Sequence, residues 1–402
     1  MFDRQELIKK LSIKTDSKIV LLVMDGVGGL PDETGGSALD RAHKPNLDNL
    51  AKKSELGLSI PVALGITPGS GPAHLSLFGY DPLKYDIGRG ILEALGIDVN
   101  VEKRDLVARG NFATIEGNIV KDRRAGRPAT EVTIKACEYL SKRIKSMKGV
   151  DIHFYPGKEH RFVLKLTGDG LDDRLTDADP QKEGSPIRYT EPLTKESERT
   201  AEIVNTLLDE IKETLKDYHP MNFALLRGFS KYPVLPQMQD VYKLAPAAIA
   251  SYPMYRGLAK LVGMNVLKVG MTVKDEFDLL EKEFKNYDFF YIHIKKTDSY
   301  GEDGNIQNKV RVIEEVDAQI PRLLSLNPDV IVVTGDHSTP AVLKGHSWHP
   351  NPFLLYSKCG REDEGRAFNE NECVKGTLGM FYAVDAMSLM MAYALKLKKY
   401  GA

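Results

Sequence analysis

Three uninterrupted apolar runs, each followed closely by an acidic side chain, restrict this chain more than any other feature. They are Lys18 to Met24 ahead of Asp25, Phe289 to Ile294 ahead of Asp298, and Val330 to Thr334 ahead of Asp336. A strand buried on both faces reads as continuous Val, Ile and Leu, because helices cover the sheet from above and below. Ligands of such sheets gather where the strands end. The runs therefore predict an α/β fold with polar chemistry at the carboxyl ends of its strands. Helical patterns alternate with them, including Ile306 to Leu324 and Ala386 to Lys398.

At 402 residues the chain exceeds the size at which a single core stops growing, which predicts two domains. The texture changes near residues 104 and 243, where charged helical stretches (Glu131 to Met147, Lys195 to Lys216) surround shorter strands (Arg161 to Leu166, Asn222 to Leu226). The expected division is a discontinuous core of residues 1–103 and 244–402 with an inserted smaller α/β domain at 104–243. Hinges are expected near Val99 to Asp105 and Lys243 to Pro253. A Gly/Asp/Pro-rich stretch, Gly168 to Pro192, is long enough to be a functional or mobile loop.

With 55 basic and 56 acidic residues, the formal charge of -1 gives no global attraction to nucleic acid or to an anionic membrane, so any anion site is local. Cys137, Cys359 and Cys373 lack C-x-x-C spacing and read as reduced core filler. The N-terminal segment is charged, and no run approaches the ~18 apolar residues of a membrane helix. The expectation is a soluble cytoplasmic protein.

The segment GITPGSGPAHLSLFGYDP, residues 65–82, delivers Ser70 from a Gly/Pro-rich turn to the start of a helical pattern. Such a serine caps a helix in most proteins. It also suits a nucleophile, since a phosphate ester formed there would meet free backbone N–H groups. A serine hydroxyl needs a base or a metal to react near pH 7. No G-x-S-x-G surrounds Ser70. Instead, Asp25 (MDGVGG), Asp298 (KKTDSYGEDG), Asp336 and His337 (TGDHSTP) and His346 (KGHSWHP) form a mixed Asp/His set suited to two divalent ions in phosphoryl transfer. Taken singly, each is equally a turn, a solvated loop or a surface histidine. His74, four residues after Ser70, shares its helical face, and His349 is read as non-ligating.

In this order DGVGG, TPGSGPAHLSLFGYDP, D-x-x-G-x-DG, TGDHSTP and HS-x-x-P resemble the archaeal-type 2,3-bisphosphoglycerate-independent phosphoglycerate mutases of the alkaline phosphatase superfamily. The likeness extends through the middle in ARGNFAT, DRRAGR, HRFVL, LTDADP and LLRGFSKYP. It implies a three-layer, mostly parallel core, and exchange of 3- and 2-phosphoglycerate through a phosphoserine on Ser70 in glycolysis and gluconeogenesis. No 2,3-bisphosphoglycerate is implied. Asp25, Ser70, Asp336 and His337 would hold one metal, and Asp298, Glu302 and His346 the other. Glu302 stands where the family pattern carries histidine. An oxygen there favours Mn or Mg over Zn.

Most arginines of the insert are expected on solvated faces. Arg109, Arg123, Arg124, Arg127, Arg161 and Arg227 sit in turns or at strand ends, where a guanidinium can grip a carboxylate or phosphate in two-point fashion. The resemblance supports the ARGNFAT, DRRAGR and LLRG arginines as substrate contacts; Arg161 and His160 are carried with them as substrate-binding, and Arg227 also as catalytic. Asp172 or Asp173 could position or deprotonate a substrate hydroxyl, and Asp173 is carried as catalytic.

Three other functions compete. A phosphatase, sulfatase, phosphopentomutase or phosphonate hydrolase would use the same metal core, but has less need of an arginine-lined insert that retains an intermediate. A nucleotide-binding module is disfavoured because DGVGG lacks the third glycine of G-x-G-x-x-G and no P-loop lysine is present. A metal-binding relative without turnover is suggested only by Glu302.

Overall fold

The structure, a computed structural model, describes residues 4–363 and 365–401. In chain order its strands are β1 (Ile19–Met24), β2 (Glu55–Ile60), β3 (Asp105–Glu116), β4 (Ile119–Asp122), β5 (Ser146–Met147), β6 (Val150–Pro156) and β7 (Arg161–Thr167), followed by β8 (Phe223–Ser230), β9 (Pro246–Ala250), β10 (Asn265–Leu267), β11 (Phe289–Ile294), β12 (Val330–Thr334), β13 (Asn351–Ser357) and β14 (Gly379–Tyr382). They fall into two compact units. One comprises the residues up to Asp86 with those from Leu235 onward, and the other is Ile87–Val234.

The first unit is an eight-stranded sheet in the order β10-β9-β11-β1-β12-β13-β2-β14. β13 alone runs against the others, pairing antiparallel with β12 and β2. The three diagnostic runs are neighbours: β1 lies between β11 and β12, parallel to both. Every residue of the three strands is buried, which is why they lack alternation. Val20, Leu22, Phe290, Ile292, Ile331 and Val333 meet the helices Val273–Glu283 and Ile306–Asp317 on one face. The intervening residues face the opposite way, where Tyr291 and His293 meet His74 of the helix Ser70–Leu77. Because Met24 is in register with Ile294, and Val23 with Thr334, Asp25 emerges level with Lys295 and Asp336.

The second unit is a six-stranded antiparallel sheet in which β3 pairs with β4, β7 and β8, and β6 lies between β7 and β5. Helices Thr130–Arg143 and Glu198–Leu215 contribute Ala136, Leu140, Ile203, Leu207 and Ile211 to a core shared with Phe112, Phe162 and Phe223.

The observed division is displaced from the expected 103/104 and 243/244. Helix Arg89–Gly96 packs on β3 and β8. A side chain at Gly90 would meet the Gly228 and Val107 carbonyl oxygens at 2.5 and 2.6 Å, so glycine permits this close approach. At the other passage, helix Met238–Tyr242 belongs to the first unit, where the Tyr242 hydroxyl donates to the Phe78 carbonyl. The helix expected over Ile306 to Leu324 is two, Ile306–Asp317 and Ile320–Ser325; Pro321 has no N–H to continue the ladder. Cys137 and Cys373 are buried, whereas Cys359 is exposed and fills no core. No helix among the described residues is long and apolar enough to cross a membrane.

Candidate functional site

In the first unit, the segments after β1, β11 and β12 meet. Asp25, Asp298 and Asp336 are at most 1% exposed, and His337 is fully buried among them. Gly26 makes the meeting possible. It has φ +61, and a Cβ there would lie 2.4 Å from Thr339 Oγ1 and 2.8 Å from Asp298 Oδ1. Its N–H donates to Asp336 Oδ1 at 3.0 Å, and Lys309, buried in helix Ile306–Asp317, donates to the carbonyls of Gly26 (2.7 Å) and Thr339 (2.9 Å).

Ser70 is the first residue of helix Ser70–Leu77, and Gly69 occupies the cap, so the capping role is taken by a residue with no side chain to offer. Ser70 Oγ points to His337 Nε2, 3.1 Å away. Thr339 Oγ1 donates its hydrogen to Asp298 Oδ1 at 2.7 Å, so it must accept from His337 Nδ1, 3.0 Å away. That assignment leaves Nε2 as a lone pair, 3.1 Å from Asp336 Oδ2 and 3.4 Å from Asp25 Oδ1.

Burial alone would raise the Asp25 carboxyl. The Lys295 ammonium and a hydrogen bond from His293 outweigh it and hold Asp25 well below the usual carboxylate range. Burial lowers His337 and keeps it neutral. His74 Nδ1 donates to the Ser70 carbonyl at 2.9 Å and passes Asp336 Oδ2 at 3.1 Å; burial works against its protonation and the Asp336 charge prevails, raising its pKa.

Two groups of potential ligand atoms converge here, Asp25/Asp336/His337 and Asp298/His337/His346. Asp25 Oδ1 and Asp336 Oδ2 are buried and receive no aligned hydrogen bond. Buried anionic oxygens of this kind, with imidazole nitrogens beside them, fit divalent cations. His346 stacks on His337 with ring centres 3.6 Å apart and has Nε2 3.6 Å from Asp298 Oδ1. Glu302 does not join either group. Its side chain is 54% exposed, with Oε1 3.8 Å from His346 Nε2. His349 Nδ1 pairs with Ser347 Oγ instead.

Lys295, His293 and Tyr255 escaped the sequence reading. Lys295 Nζ donates to Asp25 Oδ2 (3.0 Å), Asp298 Oδ2 (2.5 Å) and Tyr255 Oη (3.2 Å), while Tyr255 stacks on His293 at 3.7 Å. The only signal for His293 was an imidazole inside an otherwise apolar strand run, FFYIHI.

In the second unit, Arg109 on β3 stands directly opposite Arg227 on β8, and Arg161 is in register with Asn111 on the same face as Arg109. Like charges placed across a ladder repel unless an anion joins them. His160 is pushed down to about 3 by burial and then by Arg161, Arg109, Arg124 and Arg127, and is therefore neutral. Arg227 has a buried Nε without an acceptor; burial and then the neighbouring Arg89, another residue the sequence reading missed, lower its pKa. Arg123 makes a two-point bond to buried Asp179, at 3.1 and 2.7 Å. Asp173 accepts from the Lys231 backbone N–H at 2.9 Å, and Asp172 is paired with Arg174. The Gly168 to Pro192 stretch is tied down further by Asp177, which accepts from Gly228 N–H.

Residues 51–222 match the family model of 2,3-bisphosphoglycerate-independent phosphoglycerate mutase. A probable 2,3-bisphosphoglycerate-independent phosphoglycerate mutase of Thermosipho melanesiensis is 62% identical over the whole of both chains, and one of Thermus thermophilus is 53% identical over 98% of each. Among solved structures, a Pyrococcus horikoshii protein matches with TM-score 0.82 at 29% identity, covering 96% of this chain and 99% of its own. The cofactor-independent phosphoglycerate mutase of Thermoplasma acidophilum matches with TM-score 0.69 at 29% identity, covering 94% and 100%. With identity this high over its full length, the chain belongs to the 2,3-bisphosphoglycerate-independent phosphoglycerate mutase family.

Proposed function

We propose that this protein interconverts 3-phosphoglycerate and 2-phosphoglycerate through a phosphoserine formed on Ser70. The observation that carries the reading is the convergence of Ser70 Oγ, His337 Nε2 and the acceptor-only oxygens of Asp25 and Asp336 at the ends of adjacent strands, in a chain of this family.

Asp25, Asp336 and His337, with Ser70, would hold one divalent ion, and Asp298 and His346 a second, with Mn or Mg favoured by the carboxylate oxygens. Bound there, such ions supply charge neutralisation of the phosphoryl oxygens and of the seryl oxygen. Ser70 Oγ attacks phosphorus, its O–P bond forms as the bond to the 3-oxygen breaks, and the proton given up by the serine hydroxyl balances the one taken by the departing glycerate oxygen. The 2-hydroxyl oxygen then attacks the same phosphorus, the bond from phosphorus to Ser70 Oγ breaks, and the proton given up by the 2-hydroxyl balances the one regained by Ser70 Oγ. His337, fixed through Nδ1 by Thr339, turns Nε2 toward the carboxylate cluster with Ser70 Oγ beside it, so serine and ion-binding groups share one face. Arg109, Arg161 and Arg227, with Arg124 and Arg127 near neutral His160, supply the positive field that would bind the carboxylate or phosphate of the substrate.

Phosphorus NMR of the protein with 3-phosphoglycerate and Mn tests this. Growth of a 2-phosphoglycerate signal is expected. Free phosphate in its place would identify a hydrolase and refute the proposal.

A further inference from the structure

We infer that Lys295 is an internal counter-ion of the metal centre: it supplies part of the charge neutralisation that divalent ions supply when bound, and thereby weakens their binding. The inference rests on the reading of Asp25, Asp298 and Asp336 as metal ligands.

Three carboxylates within one cluster are each at most 1% exposed. Buried charge without compensation is costly. Lys295 reaches two of the three at once, with Nζ 3.0 Å from Asp25 Oδ2 and 2.5 Å from Asp298 Oδ2. Asp25 and Asp298 come from different strands, so this one ammonium joins the two ligand groups. It also selects which oxygen of each carboxylate it occupies. Both Oδ2 atoms face the ammonium, whereas Asp25 Oδ1 lies 3.4 Å from His337 Nε2 and Asp298 Oδ1 lies 4.0 Å from His337 Nδ1 and 3.6 Å from His346 Nε2. Each acid thus neutralises a cation of the chain with one oxygen while the other is turned toward the imidazoles.

The energetic consequence has a definite sign. A positive charge that stabilises the ligand carboxylates favours the ion-free state, and at these separations it repels an arriving dication. A group that only oriented the carboxylates would have the opposite effect, since its loss would loosen metal binding. Lys295 is accordingly a positioning residue whose charge sets how tightly the centre holds its ions. Its side chain is 21% exposed, so the ammonium has solvent within reach when a dication takes its place.

Calorimetric titration of chelator-stripped, full-length protein with Mn²⁺ tests the inference, comparing the parent with Lys295→Met and Lys295→Gln. Both variants should bind Mn²⁺ more tightly, with Kd lowered on the order of tenfold or more. Without metal they should melt below the parent, and added Mn²⁺ should narrow that gap. An unchanged or weaker affinity in Lys295→Gln, which keeps a hydrogen-bond donor and loses the charge, overturns the inference. Should Lys295→Met fold only with Mn²⁺ present, competition with a soluble chelator gives the same comparison: slower loss of Mn²⁺ supports the counter-ion, and faster loss overturns it. Asp25→Asn separates the two levels. If Asp25→Asn binds Mn²⁺ as the parent does, the metal-centre reading fails and the inference falls with it. If Asp25→Asn is impaired and the lysine variants match the parent, the inference alone fails.

Discussion

Ser70 Oγ lies 3.1 Å from His337 Nε2, although 267 residues separate the two in the chain. The serine comes from the first turn of a helix and the histidine from the segment after β12, and each is fixed independently. His74 holds the Ser70 carbonyl, and Thr339 holds His337 Nδ1. The hydroxyl is therefore aimed before substrate arrives.

Replacing it should remove the chemistry and leave the fold. Ser70→Ala is expected to lower kcat on the order of 10⁴-fold or more, because it removes the oxygen that attacks phosphorus. Its melting temperature should stay within a few degrees of the parent, since Ser70 provides no cap. A coupled assay with circular dichroism checks both, and retained turnover would sink the assignment.

Arg227 faces Arg109 across β3 and β8, with its Nε buried and unmatched. Hydrogen bonds to charged groups contribute about 1.5–3 kcal/mol, so Arg227→Ala should lower kcat/KM by roughly 10- to 150-fold. Arg227→Lys should not restore it, because an ammonium cannot reproduce the planar fork. Steady-state kinetics in both directions checks this. Full rescue by lysine would argue against two-point recognition.

Of the proposed metal ligands the structure ranks two neighbours. Asp298 is buried and hydrogen-bonded within the cluster, while Glu302 is largely exposed at its rim. Asp298→Ala should weaken Mn²⁺ binding at least about 100-fold, and Glu302→Ala no more than about tenfold. Chelation should abolish turnover in the parent, and Mn²⁺ should restore it. Equal losses in the two variants would make Glu302 a ligand in its own right.

Glu276, 3% exposed in helix Val273–Glu283, has its carboxyl pushed up to about 8 by burial and then by Asp275. A raised carboxyl binds a proton more tightly folded than unfolded. Its contribution to stability is complete below the unfolded value, near 4.5, and is lost as pH rises through about 8. Glu276→Gln should therefore be more stable than the parent at pH 9, by on the order of 3 kcal/mol, with the gap closing toward pH 5. Urea denaturation across that range is the measurement. A gap that is flat with pH would contradict it.

Much of this was legible before any coordinates. β1, β11 and β12 announced themselves because strands covered on both faces leave no polar gaps, and the acids after them could be named as candidates. What the sequence could not supply was adjacency. Nothing in the sequence singled out Lys295, and only the register of β1 with β11 brings it to Asp25. Arg123 matched a substrate contact by type, yet buried Asp179 takes its guanidinium in a two-point bond. The break at Ala318–Gln319 was readable from Pro321 but was masked by the continuous apolar periodicity around it. Glycine at position 90 gave no hint of its role either, because the backbone it admits comes from β3 and β8.

Lys309 ties Gly26 to Thr339, and so makes one piece of the segments that follow β1 and β12. Neither strand end can drift without pulling its neighbour, and both are anchored to a helix with no catalytic side chain of its own. Damage to that helix would surface as a chemical defect: Asp25 and Asp336 would lose their mutual placement while the sheet remained whole.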